Sequence, residues 1–134
     1  MRRIYHAAHI YMILGLVSGL GYRELTKLRD FTGETQLSVV HTHLLALGML
    51  FFLVVLALEK LFTLSAGRLF GGFFWTYNAG LALTVTMMVV KGTMTVYGHR
   101  AGEGLALVSG LGHVLLTVGL ILFFVNLGKR VTDS

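Results

Sequence analysis

The chain has 134 residues, of which 55% are hydrophobic and only 13% are charged. Soluble domains carry about 25% charged residues, so this composition excludes a disordered chain and an ordinary soluble enzyme. The lack of cysteine excludes thiolate zinc sites, iron–sulfur clusters and covalently attached c-type haem. The net charge of +5 is spread between apolar runs. That pattern is typical of charges that flank a membrane and indicates no nucleic-acid partner.

Four apolar runs predict four transmembrane helices, because a hydrocarbon core of about 30 Å needs about 20 helical residues. The expected spans are Ile4–Tyr22, Leu37–Leu58, Phe70–Tyr97 and Gly104–Leu127. The predicted fold class is therefore all-α integral membrane, a four-transmembrane-helix bundle in the lipid bilayer, with residues 1–134 forming a single domain. The aromatic and polar residues Trp75, Tyr77 and Asn78, at the start of the third span, are interpreted as an interfacial belt.

Lysine and arginine residues on the two sides of the predicted bundle indicate its orientation. The side of both termini carries Arg2, Arg3, Lys60, Arg68, Lys129 and Arg130. The opposite side carries Arg23, Lys27, Arg29 and Arg100. Because positive loops tend to stay in the cytoplasm, six positive residues against four predict that both termini are cytoplasmic.

Small residues four positions apart predict close helix packing in two spans. They are Gly15 and Gly19 in the first span, and Ala106 and Gly110 in the fourth. Such spacing is explained either by packing within one chain or by homodimerisation. We expect packing within the chain to be the main explanation, and we also expect the protein to form a homodimer.

The second and fourth predicted spans share a further pattern. In each, a histidine (His43 or His113) is followed five or six residues later by a glycine and then by an apolar-aromatic run. Since these spans run in the same direction, two pseudo-repeated helical hairpins related by an axis along the membrane normal would produce this pattern. General similarity between apolar segments is the alternative explanation.

The histidines are the main chemical signal, because ionisable residues in a membrane span are costly and usually face the bundle interior. At 1.5 Å per residue, His41 and His43 lie about 6 and 9 Å into the second span. His113 lies about 13 Å into the fourth span, which begins on the same side. These three residues are therefore expected in one leaflet, whereas His6 and His9 lie in the opposite one.

His41 and His43 are about 200° apart around a helix, so they cannot both bind one compact metal ion. His43 and His113 instead suit the two axial positions of a haem b, which needs only axial nitrogens and apolar walls. Copper or zinc would prefer three or four close protein ligands. Lys91 and Arg100 are candidates to pair with the haem propionates on the same side, although Lys91 would equally snorkel to the interface.

The segment from Thr35 to Phe52, which contains His41-Thr42-His43, resembles the His-x-His helix of haem–copper oxidase subunit I. In that family one histidine of the pair binds the active-site haem, and the other binds the low-spin haem from the opposite side of the helix. The resemblance implies that His43 is a ligand of a low-spin haem, with His113 as its partner. It implies His41 as the second candidate, for another haem or for a site across a dimer.

The chain also departs from that family. The oxidase subunit has twelve spans, a His-His pair for copper and a His-Tyr crosslink motif, and this chain lacks all three. Reduction of oxygen to water is therefore not expected. The full chain further resembles an uncharacterised family of short four-helix bacterial membrane proteins, which implies a location in the bacterial plasma membrane.

The leading functional hypothesis is a membrane-embedded, b-type haem protein. Two histidine ligands favour electron transfer, with quinol or another redox partner, whereas an open axial position favours binding of O2 or NO. One alternative is a small metal-ion or solute transporter, in which the histidines and Lys91 line the pathway. Another is a membrane assembly subunit without a cofactor, in which each histidine bonds to a neighbouring helix. Whether the protein is an enzyme stays open.

Overall fold

The structure is a computed structural model that describes residues 1–133. Its long helices are α1 (Arg2–Leu28), α2 (Leu37–Phe62), α3 (Phe70–Val96) and α4 (Glu103–Thr132). A single turn of 3-10 helix follows α2, and the described residues contain no strand. By length and composition, each of the four helices is long and apolar enough to cross a membrane. The all-helical fold with four long helices is thus confirmed.

Consecutive helices pack antiparallel. Between α1 and α2, a Cβ atom built on Gly19 would lie 3.6 Å from the Cβ atom of His41. Further along the same pair, a Cβ atom on Gly48 would lie 2.6 Å from the Cβ atom of Tyr11. Residues late in α1 therefore face residues early in α2, as in a helical hairpin. The α2–α3 and α3–α4 pairs are antiparallel as well.

The antiparallel order gives the bundle two distinct ends. The terminal end holds the start of α1, the end of α4 and the connection at residues 63–69. The distal end holds the connections at residues 29–36 and 97–102. Residues 1 and 133, the first and last described residues, therefore lie at the same end of the bundle.

Three helices are longer than predicted, and α1 is the clearest case. It continues from the predicted end at Tyr22 to Leu28, through a charged run. Arginine, glutamate, leucine and lysine have good helix propensity, so the helical hydrogen bonds continue beyond the apolar segment. The helix ends where the Arg29 N–H bonds to the Leu25 carbonyl at 3.1 Å and Asp30 takes a positive φ of 47°. The apolar run predicted the helix but not its end.

The aromatic part of the core lies in the half of the bundle nearest the terminal end. Phe51 of α2 stacks on Tyr77 of α3 with ring centroids 4.5 Å apart. Phe73 of α3 contacts Phe123 of α4 at 5.0 Å, and both Phe52 and Phe73 are fully buried. Offset and edge contacts of this kind add to the burial of the rings. Aromatic packing therefore joins α2, α3 and α4 in this half.

Glycines bring α3 and α4 into direct backbone contact. A Cβ atom on Gly80 would lie 2.6 Å from the backbone nitrogen of Leu116. A Cβ atom on Gly119 would lie 2.9 Å from the Cα atom of Tyr77. Small residues let two helices approach in this way and gain van der Waals contact along their length. These glycines therefore set the spacing of the α3–α4 pair.

The small-residue prediction is confirmed for α1 and wrong for packing of α4 within the chain. A Cβ atom on Gly15 would lie 2.7 Å from the Leu45 side chain, and Gly19 also faces α2. Ala106, by contrast, is exposed, and a Cβ atom on Gly110 would meet no described atom within 4 Å. The face of α4 that contacts α3 carries other glycines, so the Ala106–Gly110 spacing does not mark it. Homodimerisation stays a prediction.

α2 changes to π-helical winding at Leu44–Leu50. Within this segment the Leu47 carbonyl accepts a 2.8 Å hydrogen bond from the hydroxyl of Tyr77. Gly48 is packed against Tyr11, so that a side chain there would collide with the tyrosine. Such segments occur frequently at functional sites. The predicted repeat in α4 is a regular α-helix, so the two proposed hairpins differ at this point.

Candidate functional site

His43 and His113 form the same hydrogen bond to their own helices. The Nδ1 atom of His43 lies 2.9 Å from the Val39 carbonyl, and that of His113 lies 3.0 Å from the Ser109 carbonyl. A carbonyl oxygen only accepts, so Nδ1 carries the proton and donates it in both residues. In the neutral ring, Nε2 then keeps its lone pair. In both histidines, Nε2 is thus the ring nitrogen whose lone pair is available to bind a metal ion.

The depth of His43 in the bundle follows from the packing of α2 on α3. A Cβ atom on Gly92 would lie 2.6 Å from the backbone nitrogen of Leu37, so these two residues face each other. His43 is six residues further along α2, or about 9 Å closer to the terminal end. Because α3 runs in the opposite direction, His43 lies at about the level of Thr86 in α3.

The depth of His113 follows from the packing of α4 on α3. A Cβ atom on Gly112 would lie 2.5 Å from the Oγ1 atom of Thr84. His113 is the next residue, so it lies at about the level of Leu83 in α3. The levels of His43 and His113 therefore differ by only about 4–5 Å along α3. Both histidines belong to helices that pack on α3.

His41 packs against α1. Its Cβ and Cγ atoms lie 3.6 and 3.7 Å from the position of a Cβ atom on Gly19, so the ring packs against α1. Its Nδ1 atom is buried and has no hydrogen-bond partner among the described residues. This placement agrees with the angle of about 200° between positions two apart on a helix. The structure therefore separates the two histidines of the His-x-His motif.

The two predicted propionate partners lie nearer the distal end than the histidines. Lys91 is half-buried on α3, about five residues or 8 Å beyond the level of His43. Arg100 is exposed in the connection between α3 and α4. His99 is exposed in the same connection. Positive and polar side chains are therefore available on the distal side of the histidine level.

Within residues 1–133, no three histidine, aspartate or glutamate side chains come together as a group that could hold a metal ion. Structural zinc sites use four protein ligands and catalytic ones use three. The histidines of α1 lie near the terminal end, away from His43. Of these, His9 has Nδ1 3.3 Å from the Tyr5 hydroxyl, and His6 is exposed. His6 and His9 therefore lie apart from the two candidate ligands.

Sequence reasoning missed a part-buried polar contact between α1 and α3. The Tyr11 hydroxyl of α1 donates to Asn78 Oδ1 of α3 at 2.6 Å, and Asn78 Nδ2 donates to the Phe74 carbonyl at 2.7 Å. The interpretation of Tyr77 as an interfacial residue was wrong, because this side chain is buried. Trp75 alone of that group is largely exposed, at 66%. An asparagine within an apolar span was the available signal, since such residues often bond across helices.

A second polar cluster closes the terminal end of the bundle. Glu59, at the end of α2, is buried and accepts hydrogen bonds from the Ser65 N–H at 2.8 Å and the Ser65 hydroxyl at 2.5 Å. The Asn126 side chain of α4 donates to the Leu64 carbonyl at 3.0 Å. These bonds satisfy backbone groups in the connection between α2 and α3. The cluster therefore has a structural explanation.

Comparison with known proteins identifies the family. A family model described as a protein of unknown function, DUF2871, matches residues 1–130. The chain belongs to this family. No curated protein and no solved structure matches the chain. The predicted membership of an uncharacterised family is confirmed, whereas the resemblance of the His-x-His segment to haem–copper oxidases stays a prediction.

Proposed function

We propose that this protein crosses the bacterial plasma membrane four times and binds one b-type haem through His43 and His113 for electron transfer. The observation that carries the proposal is the common geometry of the two imidazoles. Each imidazole donates a hydrogen bond from its Nδ1–H to a carbonyl of its own helix. The two residues lie at nearly the same depth on α2 and α4, the two helices that pack on α3.

The apolar exterior supports the membrane placement. All four long helices expose large apolar side chains, among them Val17 on α1 and Leu107 on α4. Contiguous apolar surface of this kind is rare on soluble monomers and is typical of surfaces that contact lipid or a partner. We propose that both termini lie in the cytoplasm, because the terminal end carries six of the lysine and arginine residues and the distal end four.

The histidine geometry supports metal ligation through Nε2. Histidines that bind metals almost always donate the other ring N–H to a carbonyl, a carboxylate or water, which fixes the tautomer and the ring orientation. His43 and His113 already have this second bond. His41 does not, because its Nδ1 atom has no partner within the described residues. The first two residues are therefore the better ligands.

The number of available ligands favours haem over a bare metal ion. A haem brings four nitrogen ligands of its own and takes only axial ligands from the protein. Two histidines at one level meet that need, whereas the described residues offer no group of three. Exposed apolar side chains next to both histidines, including Leu47 and Val114, would contact the porphyrin. A second copy of the chain would cover this surface, which is the basis for the proposed dimer.

The bound haem would supply one-electron redox chemistry, and the residues of the chain hold and orient it. His43 and His113 as two ligands would leave no coordination site for a gas, which favours electron transfer with quinol or another redox partner. Lys91 and Arg100 would bind the propionates on the distal side. A positive partner there stabilises the two carboxylates and fixes the edge of the ring.

The visible spectrum of the detergent-purified protein tests this proposal. Protein from haem-replete cells is expected to show a Soret band, a sharp α-band after dithionite reduction and a b-type pyridine haemochrome. His43→Ala and His113→Ala should each remove the six-coordinate spectrum. His9→Ala is the matched control, because His9 is also a helix histidine but lies near the terminal end, and it should leave the spectrum unchanged.

Carbon monoxide separates the two haem hypotheses. Failure of CO to shift the reduced spectrum is expected for a bis-histidine site. A full CO shift in the wild-type protein would instead mean an open axial position, and would overturn the assignment of both histidines as ligands. A folded, colourless protein that also takes up no added haemin would refute the haem proposal altogether.

A further inference from the structure

A long groove separates α1 and α3 near the terminal end, on the opposite half of the molecule from His43. Its volume is about 640 Å³. Apolar side chains form most of its walls, and the α1 wall extends from Arg3 to Leu14. The α3 wall extends from Phe74 to Ala82. The groove lies on the outer surface of the bundle and therefore opens toward the surrounding lipid.

Two polar residues line the end of the groove that is nearest the start of α1. Arg3 and His6 line it there, and both side chains are exposed. The Arg3 side chain makes no hydrogen bond or ion pair with any other residue of the described chain 1–133. Farther along the groove, the polar groups are the indole N–H of Trp75 and the side chains of Tyr11 and Asn78, which bond to each other. A ligand would thus meet a free positive charge near the surface and apolar walls below it.

The length of the groove matches one leaflet of a bilayer. Arg3 and Leu14 are eleven residues apart on α1, which corresponds to about 16 Å. The hydrocarbon core of a bilayer is about 30 Å thick, so each leaflet contributes about 15 Å. An acyl chain that follows the groove from Arg3 to Leu14 would therefore end near the bilayer midplane. The headgroup of the same molecule would lie beside Arg3 and His6.

We propose that this groove is a binding site for an anionic phospholipid. The phosphate binds the Arg3 guanidinium, with His6 beside it, and one acyl chain lies between α1 and α3. Basic pockets between membrane helices on the cytoplasmic side bind acidic lipid headgroups by the same chemistry. This inference rests on the membrane placement proposed above and is independent of the haem.

Charge favours a lipid over a second copy of the chain as the occupant. A two-fold contact through this groove would bring Arg2, Arg3 and His6 of both copies to the same edge of the interface. Like charges in that position repel, whereas an anionic headgroup neutralises them. The other cations of the terminal end, Lys60 and Arg68 among them, add to the attraction for acidic lipid.

Native mass spectrometry of the delipidated, detergent-solubilised protein tests the site directly. The protein is titrated with phosphatidylglycerol and with phosphatidylcholine that carry identical acyl chains. One phosphatidylglycerol molecule should bind more tightly than the first phosphatidylcholine. Arg3→Gln should weaken phosphatidylglycerol binding about fivefold, the amount expected for one basic residue near a membrane surface. Arg2→Gln is the matched control, because this neighbouring arginine does not line the groove.

A second pair of variants tests the apolar part of the groove. Ala82→Phe fills its deep end and should weaken binding of both lipids, whereas Ala79→Phe lies on α3 outside the groove and should have no effect. Equal binding of the two lipids by the wild-type protein would overturn the proposal. Equal losses in the Arg2 and Arg3 variants would also overturn it, since general surface charge would then explain the binding.

Two further readouts separate the outcomes. If Arg3→Gln changes the oligomeric mass in place of the lipid count, a second copy occupies the groove and the lipid proposal is wrong. The haem spectrum of Arg3→Gln should equal that of the wild-type protein, so loss of the lipid site and failure of the haem proposal are distinguishable. Failure of the protein to float with liposomes would instead refute the membrane placement.

Discussion

Replacing Gly119 with alanine should separate α3 from α4. The added Cβ atom would lie 2.9 Å from both the Cα and Cβ atoms of Tyr77 and 3.0 Å from its nitrogen. Ordinary contact begins at 3.4 Å, so the helices would have to move apart by about 0.5 Å. The atoms in the way are main chain and Cβ, which cannot rotate aside. Overpacking of this kind costs about 1–3 kcal/mol of unfolding free energy.

Gly110 on the same helix provides the control. A Cβ atom there would meet no described atom within 4 Å, so alanine should cost nothing and could add up to about 1 kcal/mol through its better helix propensity. The free energy of unfolding of each variant is measured by titration with SDS in mixed micelles, followed by circular dichroism. Gly119→Ala should be less stable than Gly110→Ala by at least about 1 kcal/mol.

The reverse order of stability would refute the reasoning. It would mean that α4 packs through Ala106 and Gly110, as the sequence spacing suggested, and that the contact of Gly119 with Tyr77 is not the one that holds α3 and α4 together. Equal stability of the two variants would also contradict the prediction, because the structure offers no room for a methyl group at Gly119.

Two further predictions concern buried polar contacts and use the same SDS titration. Tyr77→Phe removes the only side-chain bond to the Leu47 carbonyl among the described residues, and should cost about 0.5–1.5 kcal/mol; an unchanged stability would show that the bond contributes nothing. Glu59→Gln replaces one of the two oxygens that accept from Ser65 with a donor NH2 group and removes the charge, so it should cost about 1.5–3 kcal/mol, since bonds to a charged group are stronger. Glu34→Gln, at an exposed position, is its control, and an equal loss in that variant would contradict the explanation.

The sequence predicted the helices well because hydropathy and length alone decide how much of a chain can cross an apolar layer. It failed at the helix ends, as in α1, where propensity carries the backbone past the last apolar residue to Leu28. It also failed for Tyr77, because the side of α3 that is buried depends on where α2 and α4 pack. Composition contains no information about that choice.

The candidate site was predicted in part. The spacing of His41 and His43 indicated that the two rings point in different directions, since helical geometry alone requires it, and the structure packs the His41 ring against α1. Their hydrogen bonds could not be predicted in the same way. The Nδ1 atom of His43 has a carbonyl partner and that of His41 has none, and this difference depends on how each ring packs. Ligation itself stays a prediction.

The π-helical segment of α2 has the effect of a one-residue insertion in a regular helix. Each residue of an α-helix turns the chain by about 100°, so deletion of Ala46 would restore regular winding and rotate His43 by about that angle relative to Phe51. The direction in which the histidines of α2 point is therefore set separately from the direction in which its aromatic residues point. A shift of one residue in this segment would redirect every histidine of α2 while leaving the aromatic contacts in place.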